Sequence, residues 1–443
     1  MNPTLVGVIG IVVLILVFFT RMPVAYVMTM VGYVGFSFLV SGSAGLKLLA
    51  RDFYEVYSSY GLTIIPMFVL MGQLAFNAGI SRRLYDSAYH FVGSYRGGLA
   101  TATVCACTAF GAVSGSSPAT AATMATVGLP EMKRYKYAPE LSCGSVASGG
   151  GLGMLMPPSV VLIVYGILTE QSIGALFVAG IIPALFITIL FAVAISVYCW
   201  KYPLQGPAGE KFTWGEKFRS LSKTGETLVV FLLVMGGLFT GIFTPTEAGG
   251  VGSACVLLVA VLRKQLSFKG FVKSINETLK TSCMVLLLIA GATIFGHFLA
   301  ISRIPFNVAS WVAGLDMPAF AVVIVIMLVY LIGGCFIDAL ALIMLTIPIF
   351  YPIIINLGYD PIWFGIIIVL VTQMGVITPP VGINVYVVAA IAKDVRLETI
   401  FKGVLPFLIA LIIGTLFLIA FPQITLWLPR DRKSTRLNSS HRL

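Results

Sequence analysis

Thirteen uncharged, mostly apolar runs divide this chain, at 1–20, 22–46, 56–81, 97–130, 141–169, 171–200, 227–246, 248–262, 281–302, 317–337, 339–359, 361–392 and 403–429. Nothing constrains its fold more. About 20 apolar residues cross a bilayer as a helix, and a backbone in lipid must satisfy its own hydrogen bonds. Soluble domains carry about 25% charged residues; here the figure is 10%, against 58% hydrophobic. The fold class is therefore all-α and polytopic, a multi-pass membrane protein. The first run lacks a small-residue cleavage site and reads as the first span, not a signal peptide.

Side chains that could run chemistry are sparse. The seven cysteines (105, 107, 143, 199, 255, 283, 335) lie in or beside apolar runs, without a second pair or a His cluster, and read as small buried apolar groups. The three histidines follow no pattern, and His297 has no marked partner. The last stretch, 430–443, is polar and unlike the rest; it reads as a non-native tail. Without its five bases and one acid the net charge drops from +11 to +7, and nucleic-acid binding has no support.

The chain repeats itself after about 220 residues. Ile80-Ser81-Arg82 returns as Ile301-Ser302-Arg303, Gly72 and Phe76 as Gly291 and Phe295, Pro130 as Pro348, Pro157-Pro158 as Pro379-Pro380, and Gly180 with Pro183 as Gly403 with Pro406. The offsets run from 218 to 223 in constant order, so two copies are expected, joined by a polar linker at 201–221. Within the first copy, spans are expected near 4–19, 23–40 and 61–79, with a polar-apolar arm at 43–58. The 34-residue stretch 97–130 is too long for one span and too short for two, which need about 40 residues and a turn. A re-entrant hairpin with its tip at "SGSSPAT" (114–120) fits. The stretch 138–170 is then one span broken at "GGGLGMLMPPS" (149–159), and 174–200 closes the copy. Five crossings per copy make the repeat inverted. This parse puts Lys47, Arg51 and Arg303 on one face and 20 bases, Arg21 among them, on the other. The positive-inside rule then places the N-terminus outside.

Prolines 157 and 158 remove two donors, and glycines 149–151 and 153 are expected to ease unwinding. The second copy has the same device at "QMGVITPPVGIN" (373–384), beside a second tip at "GGCFIDA" (333–339). A broken helix offers carbonyls to a hard cation and an N-terminus to a carboxylate. Two Na⁺ clusters are expected: Ser114, Gly115 and Ser116 with Gly149, Gly150 and Gly151; and Gly333, Gly334 and Asp338 with Gln373, Gly375 and Thr378. Substrate contacts are expected at Ser116, Ser117, Thr120, Pro157, Pro158, Thr378, Pro379, Pro380 and Asn384. No Arg or Lys lies in any tip or break, so helix starts, hydroxyls and Na⁺ would receive the anion. Asp338 is the only acid in 317–359 and either caps a helix or serves a cation. Thr123 reads as bonded to its own helix, Glu247 as a cap. The basic segments 82–96 and 263–280 are expected along the cytoplasmic interface.

At these residues the chain resembles the large membrane subunit (DctM type) of TRAP transporters, the tripartite ATP-independent periplasmic transporters. The stretches are "GSSPATAATMATVGLPEM" (115–132), "GGLGMLMPPS" (150–159), "GIFTPTEAGG" (241–250) and "TPPVGIN" (378–384). The first tip departs from the family's small-Ser-small-Ala pattern, reading Ser-Ser-Pro-Ala-Thr. The resemblance implies an elevator-type importer in the bacterial inner membrane, driven by Na⁺. It also implies a small four-helix membrane subunit, expected as a separate chain, and a periplasmic substrate-binding protein delivering an organic acid anion. On this reading 1–80 and 222–300 form the scaffold, 81–174 and 302–398 the transport domain, and 175–200 and 399–428 the closing spans. A self-sufficient Na⁺/dicarboxylate symporter is the alternative. An intramembrane enzyme would need paired acids, a Ser/His pair or HExxH, and the sequence has none.

Overall fold

The computed structural model describes residues 2–18, 20, 22–314 and 317–429; Arg21 and the 430–443 tail lie outside them. Among these residues every regular element is helical. The first copy holds α1 (Pro3–Phe18), α2 (Val24–Leu39), the arm α3 (Gly42–Ser58), a 3₁₀ turn (Tyr60–Thr63) leading into α4 (Ile64–Asn77), and α5 (Ile80–Val92). The expected hairpin follows as α6 (Gly98–Ser114) and α7 (Ser117–Arg134). The broken span is α8 (Pro139–Leu155) and α9 (Val160–Leu168), which meet at 40°, and α10 (Ile173–Lys201) closes the copy.

The second copy repeats the order: α11 (Trp214–Thr240), α12 (Pro245–Leu262), α13 (Phe268–Ile301), α14 (Ile304–Ala313), the hairpin α15 (Ala319–Gly334) and α16 (Ala339–Asn356), the broken span α17 (Pro361–Gly375) and α18 (Ile383–Ile391), and α19 (Leu397–Ala420). One element differs. Arm and span are separate in α3 and α4 but continuous in the 34-residue α13. Helix starts are set locally. Thr213 with Glu216, and Thr244 with Glu247, form capping boxes, which satisfy two orphan donors each. Ser172 and Asp360 cap α10 and α17.

The copies also correct the register of the repeat. Ile80 opens α5, whereas Ile301 closes α13 and Ile304 opens α14. Gly79 and Arg303, each left-handed before its helix (φ 68° and 58°), are the equivalent pair. Pro130 is the fourteenth residue of α7, and Pro352, not Pro348, holds that place in α16. Gly72 approaches the first tip, whereas Gly291 approaches Ala25 in α2, so these two are not equivalents. The proline pairs match as expected, whereas Gly180 meets the Leu155 carbonyl at its own break and Gly403 meets Glu140 of the other copy. A stray short motif is easily misregistered in an apolar chain; helix ends are not.

Packing follows the two-fold relation. Helix α2 lies along α13, and its counterpart α12 lies along α4, the span part of α13's counterpart. The closing spans α10 and α19 pack on each other, and α19 also crosses α8. There Gly144 meets the backbone of Gly403, and Gly403 meets the backbone of Glu140, with no room for a side chain on either glycine. His297, expected without a partner, is bonded through Nδ1 to Asp52 Oδ2 at 2.7 Å. This ties the arm α3 to α13; Asp52 is fully buried.

Candidate functional site

Each tip is sewn to its own break by one backbone bond. Val160 N–H donates to Gly115 O at 3.3 Å in the first copy, and Val381 N–H donates to Cys335 O at 3.3 Å in the second. Gly115 is left-handed (φ 62°), and a methyl there would strike Pro158 O at 2.5 Å. Only glycine allows that turn against that break. The proline pairs sit at the two breaks, and both Pro-Pro bonds are cis.

The glycine triplet behaves differently from expectation. Helix α8 runs unbroken through Gly149–Gly153 to Leu155, and the break falls at 156–159. The carbonyls of Gly149, Gly150 and Gly151 lie inside a regular helix, so they are not freed by unwinding. The glycines make room instead. Gly149 faces Cys107 of α6, Gly150 faces the backbone of Ala121 of α7, and Gly151 faces the Gln373 side chain of α17. Three neighbours thus approach α8 at one level. The same logic holds at Gly334 and Gly375, whose backbones touch. Gly333 packs on Leu342 within its own hairpin.

The two copies are linked by side chains at this level. The Ser117 hydroxyl and the Asn384 carboxamide bond at 2.8 and 3.0 Å, and Asn384 Nδ2 also donates to Ala147 O at 3.0 Å. Ser114 and Thr120 share a hydrogen bond at 2.7 Å across the first tip. Gln373 is fully buried, and both its amide atoms lack a protein partner, as does the buried hydroxyl of Ser148, one turn before Gly151. Buried polar groups are normally satisfied, so the unused Gln373 Oε1 and Ser148 hydroxyl are candidate oxygens for a cation. Asp338 caps α16, accepting from Leu340 N–H at 3.0 Å. Thr378 donates back to Met374 O at 2.7 Å.

A cavity of about 500 Å³ opens beside the tips. Ser114, Gly115, Ser116, Ser117 and Asp338 line it, and so does Thr123, which had been read as occupied within its helix. Thr120, Pro157, Pro158 and Asn384 are buried behind this wall, and Thr378, Pro379 and Pro380 stand outside it, the two prolines exposed. The opposite wall comes from α4 and α13, through Gln73, Lys273, Glu277 and Thr281. That wall was missed. A basic side chain does reach the site, from outside the tips and breaks. The available signal was the four-residue spacing of 273, 277 and 281, which puts polar groups on one face of a helix entering an apolar run.

Two inverted copies, each pairing a re-entrant tip with a broken helix, with both tips lining one cavity, define a secondary transporter. The model of the family described as "Tripartite ATP-independent periplasmic transporter, DctM component" matches residues 11–424. The chain belongs to that family. It is 37% identical over 385 residues (87% of this chain, 90% of the relative) to the C4-dicarboxylate TRAP transporter large permease protein DctM of Pseudomonas aeruginosa. It is 34% identical over 415 residues (93% and 95%) to the sialic acid TRAP transporter large permease protein SiaM of Vibrio cholerae. These relatives are permeases, not enzymes. Among solved structures, the Alcanivorax borkumensis YdaH transporter shares the fold, with TM-score 0.63 and 14% identity over 96% of this chain and 98% of that one.

Proposed function

We propose that this chain carries a small organic acid anion into the cell together with Na⁺, as the large permease subunit in the bacterial inner membrane. Its partners are a small four-helix membrane subunit and a periplasmic substrate-binding protein. The observation that carries this reading is the Ser117–Asn384 bond, which joins the first tip to the second copy's broken helix beside the cavity. Three relatives support an acid: one is a C4-dicarboxylate permease, one a sialic acid permease, and a longer one an isethionate permease named DctMQ. The substrate lies between the tips, near Ser116, Ser117, Thr123 and the start of α18. Na⁺ takes the unused oxygens around Gln373 and Ser148 and those near Asp338.

Residues 98–174 and 302–398 move as one block against 1–92 and 222–300, which narrows the expected block of 81–174 by leaving α5 with the scaffold. At the block's edge α5 is held to α11 by Ser87, which bonds Ser220 at 2.8 Å, so the pivot falls between α5 and α6, at Gly93–Gly98. With the N-terminus periplasmic, the cavity wall from α4 and α13 lies in the cytoplasmic half, and the site faces inward.

Uptake into proteoliposomes holding all three components tests this. It is expected to stop when choline replaces Na⁺, and undiminished uptake rejects the coupling. Uptake without the binding protein would favour the self-sufficient symporter. Maleimide labelling of Lys133→Cys and Lys217→Cys is expected from the same, cytoplasmic side.

A further inference from the structure

Lys273, Glu277 and Thr281 line the cavity from α13, facing Ser116 and Ser117 across it. The wall is anchored beside the lysine. Asn77 Nδ2 donates to Ser274 Oγ at 2.9 Å, and Ser274 bonds Gln73 O at 3.2 Å. The cavity holds two acids, and each is engaged. Glu277 pairs with Lys280 at 3.3 Å, and Asp338 caps α16. Lys273 makes no ion pair within 4.0 Å among the described residues, and it is exposed while lining the cavity. An exposed interfacial lysine is ordinarily a solvated charge. This one stands in a concave, largely apolar space, where walls of low dielectric focus the field of an unpaired charge.

We propose that Lys273 is a specificity-determining residue of this cavity, drawing carboxylate- or sulfonate-bearing solutes toward the hairpin tips over net-neutral zwitterions. The proposal deepens the organic-anion reading and rests on it. Lys273 belongs to neither hairpin, so its pull acts while the tips face the α13 wall and is left behind when they move away. The recognition is by charge and not by shape, so arginine can replace it.

The potential at the tip can be read without any transported solute. Ala119 lines the cavity, and Ala119→Cys is placed in a full-length chain whose seven native cysteines are replaced. Modification rates are compared for anionic (sulfonatoethyl) and cationic (trimethylammonioethyl) methanethiosulfonates. Lys273→Gln is expected to lower the anion-to-cation rate ratio about five-fold, as loss of one charge across a wet cavity implies. Lys273→Arg keeps the ratio, and so does Lys269→Gln one turn away on the same helix. With Lys273 in place, the ratio is expected to fall toward that of Lys273→Gln as salt rises. An unchanged ratio in Lys273→Gln, or an equal drop in Lys269→Gln, overturns the proposal. A wrong substrate class would appear instead as no uptake of any acid, with the ratio still dependent on Lys273.

Discussion

The Ser117 hydroxyl and the Asn384 carboxamide, 267 residues apart in sequence, meet at 2.8 Å in the buried wall beside the cavity. Asn384 also bonds the Ala147 carbonyl on α8. One side chain of the second copy thus ties together the tip and the broken helix of the first.

Asn384→Ala leaves Ser117 and the Ala147 carbonyl without this partner in a buried place. An unmade buried hydrogen bond costs about 1–3 kcal/mol. The variant is expected to melt at lower temperature and to lose at least about ten-fold in uptake. Ser117→Ala removes the contacts between Ser117 and Asn384 but leaves the Asn384 bond to the Ala147 carbonyl, so its loss should be smaller. Equal losses would show that the network does not act through Asn384.

Gly150→Ala places a methyl 2.5 Å from Ala121 Cβ and 2.9 Å from its Cα. Backbone cannot yield as a side-chain end can, and overpacking of this kind costs about 1–3 kcal/mol. Gly250→Ala, which meets nothing within 4 Å, is the control and is expected to be neutral or slightly stabilising. Thermal melts of the purified variants decide between them.

Glu226 on α11 accepts charge from two sides, Arg83 of α5 and Arg263 beyond α12, both at 2.8 Å. Arg83 and Glu226 are mostly buried. Glu226→Gln strands two guanidinium groups, and removing one partner of a buried pair is strongly destabilising; here about 2 kcal/mol is expected. Reduced melting temperature, with α5 becoming accessible to protease first, would mark this triad as the clasp on α5.

Asp338→Asn keeps the cap at Leu340 but removes the only carboxylate at the second tip. It is expected to weaken Na⁺ binding at least about ten-fold, and substrate binding only through the missing ion, since each ligand neutralises the other at low dielectric. Asn384→Ala should act in the opposite order. Calorimetric titration of Na⁺ and of the acid into the assembled complex separates the two.

At the base of the first hairpin, Lys133 pairs with Asp394 at 2.5 Å, joining α7 to the loop after α18. The Lys133 ammonium holds the Asp394 carboxyl below its usual value. A depressed carboxyl contributes stability above its unfolded value, near 4, and loses it as pH falls through the lower folded value. Wild-type melting temperature should therefore fall more between pH 5 and about 3 than that of Asp394→Asn. Both groups are exposed, so the difference should be small and vanish in high salt.

The sequence by itself determined the order of the helices, hairpins and breaks. Uncharged runs must become helices in lipid, and the paired tips and Pro-Pro breaks were legible because glycine, serine and proline interrupt such runs for a local reason. What it left ambiguous was decided by packing. The Gly149–Gly151 triplet reads as an unwinding point, yet it stays helical, because three neighbouring helices need its bare faces. Asn384 and Gln373 were singled out in sequence, but their partners, Ser117 and Gly151, lie in the other copy. Lys273 was assigned to the interface by its basic neighbours, and His297 to no partner at all. Both assignments depended on which helix crosses opposite. Local propensity fixes a helix and its ends within a few residues of chain; what a side chain faces is set by a contact some 200 residues away, which only the folded packing of the two copies supplies.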